Sequence, residues 1–363
     1  MHSLFHFTLP SHRAYSDYKS REKLLMILVR NTNTEPYKNM AFEEYLLRTC
    51  DEPAVMLWRN EPAVIIGKNQ NAREQVNFSF TESHGIKTVR RLTGGGAVFH
   101  DLGNVNYTFI TPATEDDRIN FSYFCRPIIN ALAGLGIEAS LSGRNDLVVP
   151  DGRKFSGTAA CAFEYGGKTK LMHHGTLLFS ADMSYLSGAL NVDPEKIRSK
   201  GIKSVKSRVT NLCEHIAPEF SRMKAEDFKE YLENYFIENG ARLVIPDAHA
   251  LHEIEKLAEE KYAGMEWLFG ARTESGARVK AKRFDFGKVS VETELLYEVG
   301  KPARIKKVKF SGDFFGTKPV DALEKMLCLT KAEKCDIIQK LEEAPLSAYI
   351  YGATPDEICS LIL

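Results

Sequence analysis

The chain's 363 residues are long for a single domain and predict two. Lysine plus arginine and aspartate plus glutamate balance at 48 each, which excludes broad binding to nucleic acid or an anionic membrane but leaves room for a local basic patch. No run approaches the roughly 18 consecutive apolar residues of a membrane span, so a soluble protein is expected.

Residues 1–25 carry His2, His6, Arg13, Lys19 and Arg21 against only Asp17 and Glu22, and their apolar run is too short for a secretory signal. A mitochondrial transit peptide is one reading; a ragged extension before a start at Met26 is preferred. A first strand is predicted over 24–30, followed by a polar turn through Asn33 and Pro36. Residues 39–48 read as a helix with Asn39 as its N-cap. Strands over 55–58 and 63–67 flank Asn60-Glu61-Pro62, a hairpin-like turn, and strands over 86–90 and 105–110 enclose Thr93-Gly94-Gly95-Gly96. Phe121, Phe124, Cys125, Ile128, Leu132 and Leu135 share helical spacing before Gly134 and Gly136 punctuate the end. Strands over 146–149 and 154–161 flank the turn Pro150-Asp151-Gly152-Arg153, and another strand covers 173–179. Helices follow near 182–190, 194–200 and 224–239. Pro246 and Asp247 then break the pattern and divide a domain of 26–246 from one of 247–363. The second part shows a helix over 250–261, strands near 279–286, 288–298 and 303–311, and helices near 319–327, 331–343 and 354–362. Mixed strands with segregated helices indicate α+β architecture. The seven cysteines (Cys50, Cys125, Cys161, Cys213, Cys328, Cys335 and Cys359) have no C-x-x-C spacing and read as reduced thiols.

The strongest chemical signal is Arg90-Arg91-Leu92-Thr93-Gly94-Gly95-Gly96-Ala97-Val98-Phe99-His100-Asp101. Three glycines after a strand let backbone N–H groups approach an anion, and two arginines add charge-assisted donors for phosphate or carboxylate. A bare Gly-Gly-Gly is more often a tight turn; the flanking Arg90, Arg91, His100 and Asp101 shift the balance toward a site. The spacing is neither G-x-x-x-x-G-K-[ST] nor G-x-G-x-x-G, so a nucleotide held here falls outside the P-loop and dinucleotide-binding classes. In a second group, strand alternation puts Lys154, Ser156 and Thr158 on one face, and Gly157 permits close approach of a ligand. Asn145 and Asp146 offer the hard oxygen ligands that Mg²⁺ takes. Lys154 by itself reads as an exposed lysine beside a turn. His173 and His174 are neighbours on a strand and face opposite ways, which argues against one metal site; His173 reads as structural and His174 as functional. Residues 200–211 read by themselves as a solvated basic loop, and Cys161 as a buried structural thiol.

In chain order, Trp58-Arg59-Asn60, the run from Arg90 to Asn104, Ser142-Gly143-Arg144-Asn145-Asp146, Arg153-Lys154 with Ser156-Gly157, His173-His174-Gly175-Thr176 and Ser207-Arg208-Val209-Thr210-Asn211 resemble the lipoate–protein ligase A family over residues 26–212. Beyond 250 the resemblance to that family's accessory domain is one of layout. It implies a large biotin/lipoyl-ligase-like domain with a mixed sheet flanked by helices, plus a smaller carboxyl-terminal α+β accessory domain. It implies ATP, Mg²⁺ and lipoate, adenylation of the lipoate carboxylate, and transfer of the acyl group to an acceptor lysine. Lys154 takes the catalytic role, touching the lipoyl carboxyl group and the α-phosphate. The binding set is Arg91, Gly94, Gly95, Gly96, Ala97, Val98, Phe99, His100, Asn104, Lys154, His174, Gly175 and Thr176, with Asn145 and Asp146 for the metal. Acceptors are apo lipoyl domains of 2-oxoacid dehydrogenase complexes and the glycine cleavage H protein, with no nucleic-acid or membrane partner. A cytoplasmic monomer is expected, or a mitochondrial-matrix protein if residues 1–25 are a transit peptide. The chain departs from some members at Leu92-Thr93, at Phe155 and in its extension. The nearest rival is an ATP-independent octanoyl or lipoyl acyltransferase with Cys161 as nucleophile; a transferase using preformed lipoyl-AMP and a non-catalytic lipoyl-domain-binding protein are the others.

Overall fold

The computed structural model describes residues 25–113, 120–143, 145–191, 209–270, 277–297, 300 and 302–363. Arg144, the basic residues 200–208, the helix expected at 194–200 and nearly all of the amino-terminal extension lie outside that set.

The strands are β1 (Ile27–Val29), β2 (Ala54–Trp58), β3 (Ala63–Ile66), β4 (Lys87–Arg90), β5 (Val98–His100), β6 (Asn104–Pro112), β7 (Ser140–Ser142), β8 (Asp146–Val148), β9 (Lys154–Tyr165), β10 (Lys168–Leu178), β11 (Arg242–Val244), β12 (Arg278–Phe284), β13 (Gly287–Leu296) and β14 (Arg304–Gly312). Eight of them form one mixed sheet in the order β11-β1-β2-β6-β10-β9-β8-β7. β1 runs parallel to β11 and β2, and the pairings from β2 onward are antiparallel. Every residue of β2 is buried, as a strand covered on both faces requires. One face packs on helices Phe121–Ala133 and Ala225–Glu238 through Phe109, Phe124, Ile128, Phe228 and Phe236. The other packs on helix Pro36–Thr49 through Met40, Leu47, Met56, Trp58 and Met172. A second sheet, β4-β3-β5, leans on this body with its own small core of Val64, Ile66, Val76 and Phe99.

Three expectations change. Helix Pro36–Thr49 starts three residues before Asn39: Glu35 caps it by accepting from the Lys38 N–H, and Pro36 takes the first turn, where a missing N–H costs nothing. Asn39 lies inside the helix, fully buried, its amide donating to Asn60 Oδ1 at 2.7 Å and to the Arg59 carbonyl at 2.9 Å. Asn60-Glu61-Pro62 is no hairpin turn, because β2 and β3 belong to different sheets. Segment 248–269, expected to open the accessory domain, packs on the large one. Ile254, Ala258 and Tyr262 join the core beneath helix Pro36–Thr49, and Leu268 joins that of the second sheet. The antiparallel sheet β12-β13-β14 and the helices after it form a separate core around Val289, Val291, Phe310, Leu323 and Ile337.

Candidate active site

The glycine-rich loop joins β4 to β5, the two strands that flank β3. Its backbone is packed too closely for side chains: a Cβ on Gly67 would lie 2.0 Å from the Gly95 carbonyl oxygen, and one on Gly94 would lie 2.5 Å from that of Phe314. Gly95 has φ +89°, a left-handed conformation that favours glycine. The accessory domain touches the loop here. The Gly95 N–H donates to the Phe314 carbonyl at 3.3 Å, the Gly312 N–H to that of Asn69 at 2.8 Å, and the Phe315 ring lies over Gly95.

Both arginines spend most of their donors on backbone carbonyls around the loop. Arg90 donates from Nη1 to the carbonyls of Gly67, Lys68 and Gln70, and from Nε to those of Trp267 and Leu268. It thereby pins residues 267–268 to the large domain. Arg91 donates from Nη2 to the Gly94 and Gly96 carbonyls at 2.6 and 2.9 Å, from Nη1 to that of Ile65, and from Nε to Thr93 Oγ1. Burial pulls both guanidinium groups down to about 10, where they still carry charge at neutral pH. The loop carbonyls need such donors because the sharp turn takes them out of any sheet ladder.

Lys154 opens β9, where its Nζ pairs with Asp146 Oδ1 at 2.7 Å. Gly157 lies beneath that ammonium group, and a Cβ there would approach Nζ to 2.9 Å. After a register shift between Leu147 and Val148, Lys154 lies opposite Val148 on β8, while Asp146 lies opposite Gly157. Asn145 Nδ2 donates to the Thr158 carbonyl at 2.7 Å, and the Asn145 carbonyl accepts from the Thr158 N–H. Thr176 Oγ1 accepts from the Gly157 N–H at 3.2 Å. Gly175 must be small, since a Cβ would meet the Tyr107 hydroxyl at 2.5 Å. The segment after the basic loop arrives at the same place: Val209 bridges to Lys154, whose carbonyl accepts from the Thr210 N–H.

The two histidines of β10 face opposite ways. His174 Nε2 lies 2.7 Å from Thr93 Oγ1 and its Nδ1 2.7 Å from Glu43 Oε1, so one imidazole joins the glycine-rich loop to helix Pro36–Thr49. His173 stacks on Phe124 at 5.0 Å, and neither ring nitrogen has a partner among the described residues. Burial drives its pKa down to about 3. His100 is also pulled down to about 3, by burial first and then by Arg91 and His174. Its Nδ1 accepts from Asn60 Nδ2, while Nε2 has no partner among the described residues. Asn104 Oδ1 is likewise unpaired. Ala97, Val98 and Phe99 run into β5, with Val98 opposite Ile65 and Phe99 opposite Val64. Cys161 is buried, and burial pushes its thiol up to about 12. A thiol kept protonated by burial is a poor nucleophile at neutral pH, which counts against Cys161 as an acyl acceptor.

Glu43 escaped the sequence reading. Two adjacent acids on an amphipathic helix read as a solvated face, and only the tertiary pairing shows both Glu43 and Glu44 buried.

The model for the lipoyl protein ligase A/B catalytic domain matches residues 35–237, and that for the bacterial lipoate protein ligase C-terminus matches residues 277–362. The chain is 37% identical to lipoate–protein ligase LplJ of Bacillus subtilis, over 93% of its own length and all of the relative's. It is 36% identical to lipoate–protein ligase 1 of Staphylococcus aureus, over 93% of its length and all of that protein. Among solved structures, it resembles P. falciparum LipL1 in complex with lipoate, at a TM-score of 0.69 and 28% identity, covering 93% of this chain and 99% of that one. A bipartite lipoate protein ligase from Thermoplasma acidophilum, described together with its E2 lipoyl domain as an archaeal lipoylation system, aligns at TM-score 0.57 and 28% identity over 69% of this chain and 99% of that one. With both domain models in tandem, and relatives more than a third identical end to end, the chain belongs to the lipoate–protein ligase family and is a ligase.

Proposed function

We propose that this ligase activates lipoate with ATP and transfers the lipoyl group to a lysine of an apo lipoyl domain or the glycine cleavage H protein. The observation that carries the reading is Lys154: its ammonium lies over Gly157, whose missing side chain makes room for it, and is paired with one carboxylate. In the first step a lipoate carboxylate oxygen attacks the α-phosphorus, and the bond to the pyrophosphate oxygen breaks. Lys154 neutralises charge on the carboxylate and α-phosphate and then on the carbonyl oxygen when the acceptor amine attacks and AMP leaves. The glycine-rich loop supplies backbone N–H groups, while Arg91 holds the loop's shape from behind rather than by reaching the nucleotide. His100 Nε2 and Asn104 Oδ1, buried and without a partner among the described residues, are polar atoms that a bound ligand or water would satisfy.

Asp146 and Asn145 suit Mg²⁺, which takes one or two carboxylates and completes its shell with phosphate oxygens and water. Asn145 Nδ2 is engaged by the Thr158 carbonyl, leaving the side-chain Oδ1 as the acceptor for an ion. When bound, the ion shields the phosphate charges. Seven free cysteines suit a reducing compartment such as the cytoplasm, and we place the start of the accessory domain at residue 277, where the carboxyl-terminal family match begins.

The test is lipoate-dependent ATP–pyrophosphate exchange, followed by transfer to purified apo lipoyl domain. Lys154→Ala should abolish exchange and leave the fold intact; normal exchange in that variant sinks the assignment. Exchange absent from the wild type, with transfer from preformed lipoyl-AMP intact, would mark a transferase.

A further inference from the structure

Thr93, His174 and Glu43 come from the loop, from β10 and from helix Pro36–Thr49, and all three are buried. The direction of each hydrogen bond between them can be assigned. Arg91 Nε donates to Thr93 Oγ1 at 2.9 Å, since a guanidinium has no acceptor. The Thr93 hydroxyl hydrogen then has one acceptor among the described residues, His174 Nε2 at 2.7 Å. In the neutral imidazole the hydrogen then sits on Nδ1, from which it donates to Glu43 Oε1 at 2.7 Å. The same carboxylate oxygen accepts from the Thr108 hydroxyl at 2.7 Å, which receives the Trp58 indole N–H at 2.9 Å. Two rows of donors thus converge on one buried carboxylate, and Glu43 also acts on Arg91, favouring its charged form against the cost of burial.

A hydroxyl, an imidazole and a carboxylate in series also describe an acyl-transfer triad. Thr93 does not fit the nucleophile's part: it is fully buried, and its oxygen already faces a guanidinium.

We propose that Glu43 is a positioning residue for the glycine-rich loop, acting through His174 and Thr93; this rests on the reading that the loop holds the adenylate. Fixing the imidazole tautomer fixes the Thr93 hydroxyl, and Thr93 sets where the N–H groups of the next three residues begin. Donors aimed at developing charge act only while their geometry is held. Without the carboxylate, His174 Nδ1–H has no acceptor among the described residues, and the tautomer that donates from Nε2 would leave the Thr93 hydroxyl without one there.

The test pairs a spectroscopic readout with an activity. In the full-length protein, ¹⁵N shifts of the His174 imidazole should report the Nδ1–H tautomer. Glu43→Ala should lose that tautomer and lower kcat/KM for ATP in pyrophosphate exchange at least tenfold. Glu43→Gln keeps an acceptor oxygen and should restore both. If Glu43→Ala does not fold, Thr93→Val breaks the same row and should lower exchange to the same extent. The proposal is overturned if wild-type His174 carries its hydrogen on Nε2, or if Glu43→Ala or Thr93→Val exchanges at the wild-type rate. A wild type without any lipoate-dependent exchange refutes the ligase reading instead, and the tautomer still decides the relay.

Discussion

Gly95 combines a left-handed backbone with a ring lying over it, so replacement by alanine meets two obstacles at once. The conformational cost alone is about 1–2 kcal/mol, and the Phe315 ring must also move, since its Cζ would lie 2.8 Å from the new Cβ. Gly95→Ala should lower the urea midpoint by an amount matching at least that cost, and reduce exchange activity. His173 makes a different prediction. Burial holds its folded pKa at about 3 against an ordinary 6.5. As pH falls below 6.5 the unfolded chain therefore takes up the proton first, and stability is lost down to about pH 3. The slope is about 1.4 kcal/mol per pH unit for one such group. His173→Phe, in a pocket already made of Tyr107, Phe121 and Phe124 rings, should flatten the stability–pH profile between pH 6 and 4.5 by that slope. Urea titrations at several pH values decide it; an unchanged slope would rule out burial of a neutral imidazole.

Helix Pro36–Thr49 shows which parts of an element a sequence exposes. Its existence was legible from apolar spacing, but its start was not. Asn39 is a good N-cap by type, whereas Glu35 with Pro36 is the pair that chain entry favours here. The same limit hid the partners of Arg90 and Arg91. Sequence shows two cations before three glycines; it cannot show that backbone carbonyls 20 residues or more away in the chain engage the first. Local chemistry survived better. The turn at 150–153, the opposed faces of His173 and His174, and the strand carrying Lys154 follow from nearest neighbours and appear in the structure. Glu44 holds the helix to the segment behind it, accepting from Lys261 Nζ and the Tyr262 hydroxyl, both at 2.6 Å, and pairing with Arg48. Burial by itself would raise this carboxyl group; Lys261, Tyr262 and Arg48 together hold it below the usual range. Its contribution is present above the unfolded pKa and lost as pH falls through the folded one. Lys261→Met should cost about 3 kcal/mol in urea unfolding at pH 7, because it strips a buried carboxylate of one partner. A cost under about 0.5 kcal/mol would place this pair among weak surface contacts.

Over the whole molecule, no helix among the described residues is long and apolar enough to cross a membrane. All seven cysteines are free, with Cys213 and Cys335 exposed and Cys125, Cys161 and Cys359 buried. Thiol titration should therefore label Cys213 and Cys335 first and reach seven groups only in denaturant; fewer than seven there would reveal a disulfide. The carbonyl of Phe314 on the Gly95 N–H has a consequence of another kind. Under the proposed assignment, that N–H has two suitors, the accessory domain from the same chain and an anionic oxygen from the ligand, and it cannot serve both fully. Competition for one donor is thermodynamic linkage: the free energy that seats the accessory domain is subtracted from apparent ligand affinity, and ligand loosens the domain by the same amount. A substitution that only weakens the seat, such as Phe315→Ala, should then tighten apparent ATP binding while lowering the melting temperature. Isothermal titration and thermal melts on one preparation would show the two effects moving in opposite directions.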